Sequence, residues 1–102
     1  MPYPVHIVPL EPDGAIPLQQ LQSVDPDFSR RFRRGDKVIL KPNFVAPRKS
    51  STGTTTSLEL IRALAGMLKD NGAEPYLCES PGMEYSWEQV FEYLGIRALA
   101  RM

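Results

Sequence analysis

The residues with the most chemical potential fall into three short runs: Lys41 and Asn43; Thr54, Thr55 and Thr56; and Glu79 and Ser80. An ammonium group, several hydroxyls and the N–H groups of a helix start suit a small anion, phosphate or carboxylate. Charge-assisted hydrogen bonds and the helix dipole would hold it. A plainer arrangement uses the same residues, with Lys41 paired to Glu79 and the threonines merely capping the helix. Both readings are open at this level. Glu79 would serve as a general base if burial raised its pKa, but one carboxylate without an evident partner is a thin basis for acid–base chemistry. Lys49-Ser50-Ser51-Thr52-Gly53 has the flavour of a phosphate loop. It lacks the G-x-x-x-x-G-K-[ST] order that wraps glycine backbone around phosphates, which argues against a nucleotide triphosphatase.

Other reactive types are isolated. His6 has no second His, Cys or carboxylate at metal-ligand spacing, so no metal site is expected. Cys78 is the only cysteine, which rules out an internal disulfide, a CxxC pair and an iron–sulfur cluster held within this chain. Its place in an apolar run predicts a small packed hydrophobe. Arg30, Arg31, Arg33 and Arg34 are the densest charge run, read as a solvated helix face rather than a nucleic-acid contact.

The elements that must position these groups are legible from pattern. Val5 to Val8, β-branched and bounded by Pro4 and Pro9, reads as a first strand, with an extended N-terminal arm as the alternative. Pro17 opens a short helix carrying Leu18, Leu21 and Val24, which Asp25-Pro26 breaks. Phe28 and Phe32 suggest a helical turn or two facing the core, and Gly35-Asp36 a turn. Lys37 to Lys41 is the clearest strand, ended by Pro42.

Residues 43 to 55 form a long loop. Thr56-Ser57-Leu58-Glu59 has the form of a capping box, followed by an apolar stripe of Leu58, Ile61, Leu64, Ala65 and Leu68 and a stop at Asn71-Gly72. Tyr76 to Cys78 continues a strand begun at Pro75, ending at Glu79-Ser80-Pro81-Gly82. Ser86 to Gln89 repeats the capping-box form before a helix with Trp87, Val90, Phe91 and Leu94 that stops at Gly95.

Alternating strands and helices at this spacing predict an α/β fold: a three-layer-like open parallel sheet of about three strands with crossover helices. In such sheets ligands sit beyond the carboxyl ends of the strands, where Lys41, Asn43, Thr54, Thr55, Thr56, Glu79 and Ser80 would converge. So thin a sheet leaves two exposed edges. The expectation is therefore either a homo-oligomer or a missing C-terminal portion, the chain then being a fragment of a larger Rossmann-like fold and its edge half of an enzyme site. A non-catalytic interaction or self-association module is the alternative function.

The 102 residues fit one domain, 1–102, and 42% hydrophobic with 24% charged residues is globular composition. Twelve Lys+Arg balance twelve Asp+Glu, so no net field favours nucleic acid or an anionic membrane. No apolar run approaches the roughly 20 residues of a membrane span, and no signal-peptide layout is present. With the single cysteine, this favours the cytoplasm. Neither cofactor nor reaction is specified by these residues.

Several runs together resemble one family: Gly35-Asp36-Lys37-Val38-Ile39-Leu40-Lys41-Pro42-Asn43, Thr54-Thr55-Thr56, Asn71-Gly72-Ala73, Cys78-Glu79-Ser80-Pro81-Gly82 and Val90 to Gly95. They are similar to the N-terminal portion of the domain-of-unknown-function 362 (DUF362) family, over about residues 35–100. Relatives in that family are generally longer, and some carry ferredoxin-type cluster domains. The resemblance thus implies a redox setting for relatives, which the lone cysteine does not support here.

Overall fold

The structure, a computed structural model, describes residues 3–44, 46–80 and 84–100. In chain order the elements are α1 (Leu18–Val24), β1 (Lys37–Leu40), α2 (Leu58–Asp70), β2 (Glu74–Leu77), α3 (Trp87–Leu94) and α4 (Ile96–Ala100), with 3-10 turns at Phe28–Arg30 and Ser50–Thr52. β1 and β2 pair in parallel, Lys37 opposite Glu74 through Leu40 opposite Leu77, in a two-stranded sheet. Among the described residues, no helix is long and apolar enough to cross a membrane.

The sheet is thinner than the sequence pattern suggests. Val5 to Val8 forms no strand, and Val5 and Ile7 are 87% and 89% exposed. A β-branched run is only strand-compatible; it becomes a strand when another backbone meets its N–H and C=O groups. No described residue supplies that ladder.

The β1–β2 pairing is started from the turns beneath it. Gly35 and Gly72 adopt φ of +88° and +80°, and the Gly35 N–H donates to the Gly72 carbonyl at 2.8 Å. The Glu74 N–H then donates to Asp36 O at 2.7 Å, and at the far end the Cys78 N–H donates to Leu40 O at 3.0 Å. Gly72 has a second reason to lack a side chain, since a Cβ there would meet Arg34 Cγ at 2.9 Å.

Helix α2 stops where Asn71-Gly72 indicates. The Gly72 N–H reaches Lys69 O at 2.9 Å and the Ala73 N–H reaches Leu68 O at 3.0 Å, the paired bonds of a Schellman ending. Leu68 and Ala73, the residues this motif brings together, are both buried. The helix therefore ends and hands over to β2 within four residues.

Helix α3 begins with the expected capping box: Ser86 N–H donates to Gln89 Oε1 at 2.8 Å, and Gln89 N–H donates to Ser86 Oγ at 3.3 Å. Gly95, at φ +70°, ends it and lets α4 begin at once. Trp87 and Phe91 meet edge-on with centroids 4.7 Å apart.

The core joins the long loop to the helices. Phe44, Ile61, Val90 and Ile96 are its buried centre, with Leu40, Leu58, Leu77 and Phe91 packed around them. Phe28 and Phe32 stay half-buried and pack edge-on against each other, centroids 5.1 Å apart. Of the four arginines beside them, Arg31 bonds Asp25 at 2.7 Å, and this hydrogen bond holds the Asp25 carboxyl below its usual range. Arg30 lies 3.6 Å from Asp27.

The packing makes Leu68→Ala a direct test: with Leu68 only 1% exposed, its truncation should cost about 2–5 kcal/mol of unfolding free energy in urea titration. A loss under 1 kcal/mol would place the core elsewhere.

Candidate functional site

Loop 43–56 is closed at its neck by reciprocal bonds. The Asn43 N–H donates to Thr56 Oγ1 at 2.8 Å, and the Thr56 N–H returns a bond to Asn43 O at 3.0 Å. Asn43 Nδ2 reaches Thr54 O at 3.2 Å, and one residue further in Phe44 and Thr55 form an isolated antiparallel bridge. The two ends of the loop thus zip together immediately beyond β1. The tip is tightened by Thr52 Oγ1, which donates to Lys49 O at 2.7 Å, and by Gly53 at φ +80°.

These bonds also settle the start of α2. Its cap is Ser57, whose Oγ accepts from the Leu60 N–H at 3.4 Å, one residue later than the T-x-x-E pattern indicates. The Thr56 hydroxyl is turned back to the Asn43 N–H, and the capping oxygen is that of Ser57. Glu59, displaced from the reciprocal position of a box, pairs instead with Arg62 at 3.2 Å.

Glu79 lies at the end of β2 with a side chain only 8% exposed. Its Oε2 accepts from the Phe44 N–H at 3.2 Å and its Oε1 from the Ser80 N–H at 2.9 Å. Lys41 Nζ stands 3.1 Å from the same Oε1, while the lysine side chain remains 68% exposed. Burial by itself would raise the Glu79 pKa, but the Ser80 and Phe44 N–H groups and Lys41 together outweigh it, so the pKa falls below 4.5. A general base near neutral pH would need the opposite shift. The Lys41–Glu79 pairing left open by the sequence is the one formed.

Lys41, Asn43, Thr54, Thr55, Thr56, Glu79 and Ser80 are therefore linked at one edge, beyond the carboxyl ends of β1 and β2. Ser80 enters through its N–H, and Pro81 and Gly82 lie outside the described residues. Thr55 is 7% exposed, and its Oγ1 has no hydrogen-bond partner among the described residues. Cys78 is exposed, not packed. It lies one step past β2, and the strand's alternation, with Glu74 and Tyr76 exposed and Pro75 and Leu77 half-buried, carries Cys78 to the outward side.

A groove of about 290 Å³ opens beside this edge at the first turn of α2, lined by Lys49, Ser50, Ser51, Thr56, Ser57 and Glu59 among others. Of these, only Thr56 belongs to the convergent set read from the sequence. Lys49, Ser50 and Ser51 were visible there as a loop without glycine order; their closeness to the helix start depends on the Asn43–Thr56 neck, which pattern does not reveal. Among the described residues no cluster of three His, Cys, Asp or Glu side chains could hold a metal ion.

The family model of a domain of unknown function, DUF362, matches residues 38–102. The chain belongs to the DUF362 family. The matched span begins in β1 and takes in the neck, the Lys41–Glu79 pair and every element from α2 onward. No curated protein and no solved structure matches the chain.

The Glu79 interactions set a pH dependence. With its folded pKa below the ordinary 4.5, Glu79 contributes stability that is fully present above pH 4.5 and is lost as pH falls through the folded value. In Glu79→Gln this part of the acid limb should flatten, and stability at pH 7 should fall by about 1–3 kcal/mol as charged acceptors of the Phe44 and Ser80 N–H groups are lost. An acid limb identical in both proteins would show that the carboxylate is not held ionised by the fold. Thr55→Val, which removes a buried hydroxyl at constant shape, should raise unfolding free energy by roughly 1 kcal/mol in the same titration.

Proposed function

We propose that this DUF362 chain is a ligand-binding α/β module that takes a small anion, phosphate or carboxylate, at the carboxyl-terminal edge of its strands. The observation that carries this reading is the groove at the α2 start, where Lys49, the hydroxyls of Ser50, Ser51 and Thr56, and the first helical turn share one open space. The N–H groups of the first turn have no acceptor within the helix and sit at the positive end of its dipole. Glu59 opposes an anion there, but its charge is engaged by Arg62.

Lys41 keeps two donors beyond its bond to Glu79 and an exposed ammonium, so it adds positive potential from the neighbouring strand end. Asn43, Thr54, Thr55, Glu79 and Ser80 act in this reading as the frame that holds the loop beside the helix. The module supplies one wall of a site. Glu79 is held ionised and Glu59 is paired with Arg62, so an enzymatic role would need acid–base groups from elsewhere, as expected if this is half of an enzyme site within a larger Rossmann-like sheet. The exposed Cys78 thiol suits a reducing cytoplasm.

A second reading, a protein interaction or self-association module, is favoured by the sheet itself. One face packs toward α2, whereas the other presents Ile39 at 65% exposure and Tyr76 at 45%, directly opposite each other in the ladder. Apolar side chains paired in this way are what a further layer or a partner covers.

Thermal unfolding in inorganic phosphate separates the two. At ten times its Kd, phosphate should add about 1.4 kcal/mol of stability, which for a domain of this size raises Tm by roughly 6–11 °C. Matched ionic strength in chloride should not do so, and Lys49→Ala/Ser51→Ala should lose the shift. No shift with phosphate or with small carboxylates would overturn the anion reading.

A further inference from the structure

Among the described residues the sheet has an unpaired edge, and the N-terminal part of the chain carries a segment with the pattern to fill it. In the β1–β2 ladder Val38 and Leu40 direct their backbone groups toward β2, as the Glu74-to-Asp36 and Cys78-to-Leu40 bonds require. The N–H and C=O groups of Lys37 and Ile39 therefore point to the outer side of β1. That edge accepts a strand at every position. The outer edge of β2 does not, because the outward-facing residue near its middle is Pro75, which has no N–H.

Residues 3–10 are the complementary piece. Tyr3, Val5 and Ile7 are 90%, 87% and 89% exposed at alternating positions, so in an extended chain they share one face. Their N–H groups also share one edge, and none of the three is proline. Pro9 falls on that same edge and ends the ladder after Ile7. Pro4 falls on the opposite edge, where it discourages a further strand from adding. The segment thus has one edge built for pairing and one that resists it. If it lies against β1 with Tyr3, Val5 and Ile7 on the uncovered face, they extend the apolar row already formed by Ile39 and Tyr76.

We infer that the arm Tyr3–Leu10 of one copy adds as a strand to the outer edge of β1 in a second copy, reciprocally, to close a twofold dimer. The occupant is a second copy because each chain carries both halves, the arm and the edge, and leaves both open in the same structure. Reciprocal exchange satisfies both at once and leaves neither free, the self-complementary geometry of an isologous dimer. This inference rests on the self-association reading given above.

Light scattering on the full chain across a wide concentration range tests it, with two variants beside the wild type. Val5→Asp/Ile7→Asp places charge on the apolar face, and Ile7→Pro removes one ladder donor without adding charge. The exposed arm makes either change compatible with folding, which far-ultraviolet circular dichroism verifies. The expected result is a wild-type dimer, with both variants monomeric at concentrations at least tenfold above the wild-type dissociation constant. A wild-type monomer at the highest attainable concentration would overturn both the self-association reading and the arm exchange. A dimer that persists in both variants would leave self-association standing and overturn the arm exchange alone.

Discussion

The Glu79 carboxylate joins the parts of this molecule that sequence distance keeps apart. It belongs to the end of β2, receives the Phe44 N–H from the long loop and the Ser80 N–H from its own turn, and faces Lys41 at the end of β1. Taking a carboxylate out of water is costly unless its oxygens are met by donors. Here both are met, and the net effect is a pKa below the ordinary value despite the burial. The bond to Phe44 matters most for architecture, because Phe44 is also the centre of the core with Ile61, Val90 and Ile96. One charged group thereby fixes the point at which the loop leaves the sheet, and with it the neck that places Lys49, Ser50 and Ser51 beside α2.

How much of this was legible in the sequence depends on the range of the interaction. The Asn71-Gly72 stop and the Ser86–Gln89 capping box were readable because every partner lies within a few residues. Strand β1 and the stripe of α2 were readable from their own apolar runs, although the partners they pack on, β2 and the core residues Phe44 and Val90, lie far along the chain. The start of α2 was misread by one residue because Thr56 is engaged by Asn43, a partner thirteen positions away that no local pattern contains. Val5 to Val8 was misread because strand propensity describes a backbone willing to pair, not a partner to pair with. Cys78 was misread through composition, when the alternation of Glu74, Pro75, Tyr76 and Leu77 already put it on the outward side.

The candidate site shows the same division. The pairing of Lys41 with Glu79 follows from two neighbouring parallel strand ends, so it could be anticipated as one of two outcomes. That the pairing would leave the edge chiefly structural was one of the two readings; the long-range bonds from the Phe44 N–H to Glu79 and between Asn43 and Thr56 were not in it. The Glu79 oxygens are filled by Phe44, Ser80 and Lys41, and the Asn43 and Thr56 backbone N–H groups are taken up within the neck. The polar convergence seen in the sequence is real in space but works chiefly as scaffolding, and the open groove lies one step further along, at the helix start beside it.

That displacement bears on how a two-stranded sheet can carry the proposed site. A sheet this narrow cannot shape a deep crevice between splayed loops, since only one crossover helix lies between its strands. Its concavity must come from a loop folded back on itself. The Asn43–Thr56 neck does this with backbone and side-chain bonds that do not depend on further strands. The uncovered face with Ile39 and Tyr76 is a separate consequence of the same narrowness. The proposed anion groove lies at the carboxyl-terminal edge and the exposed Ile39–Tyr76 pair on the face, so substitutions at Lys49 and Ser51 leave the apolar face unchanged, and substitutions at Ile39 and Tyr76 leave the groove unchanged.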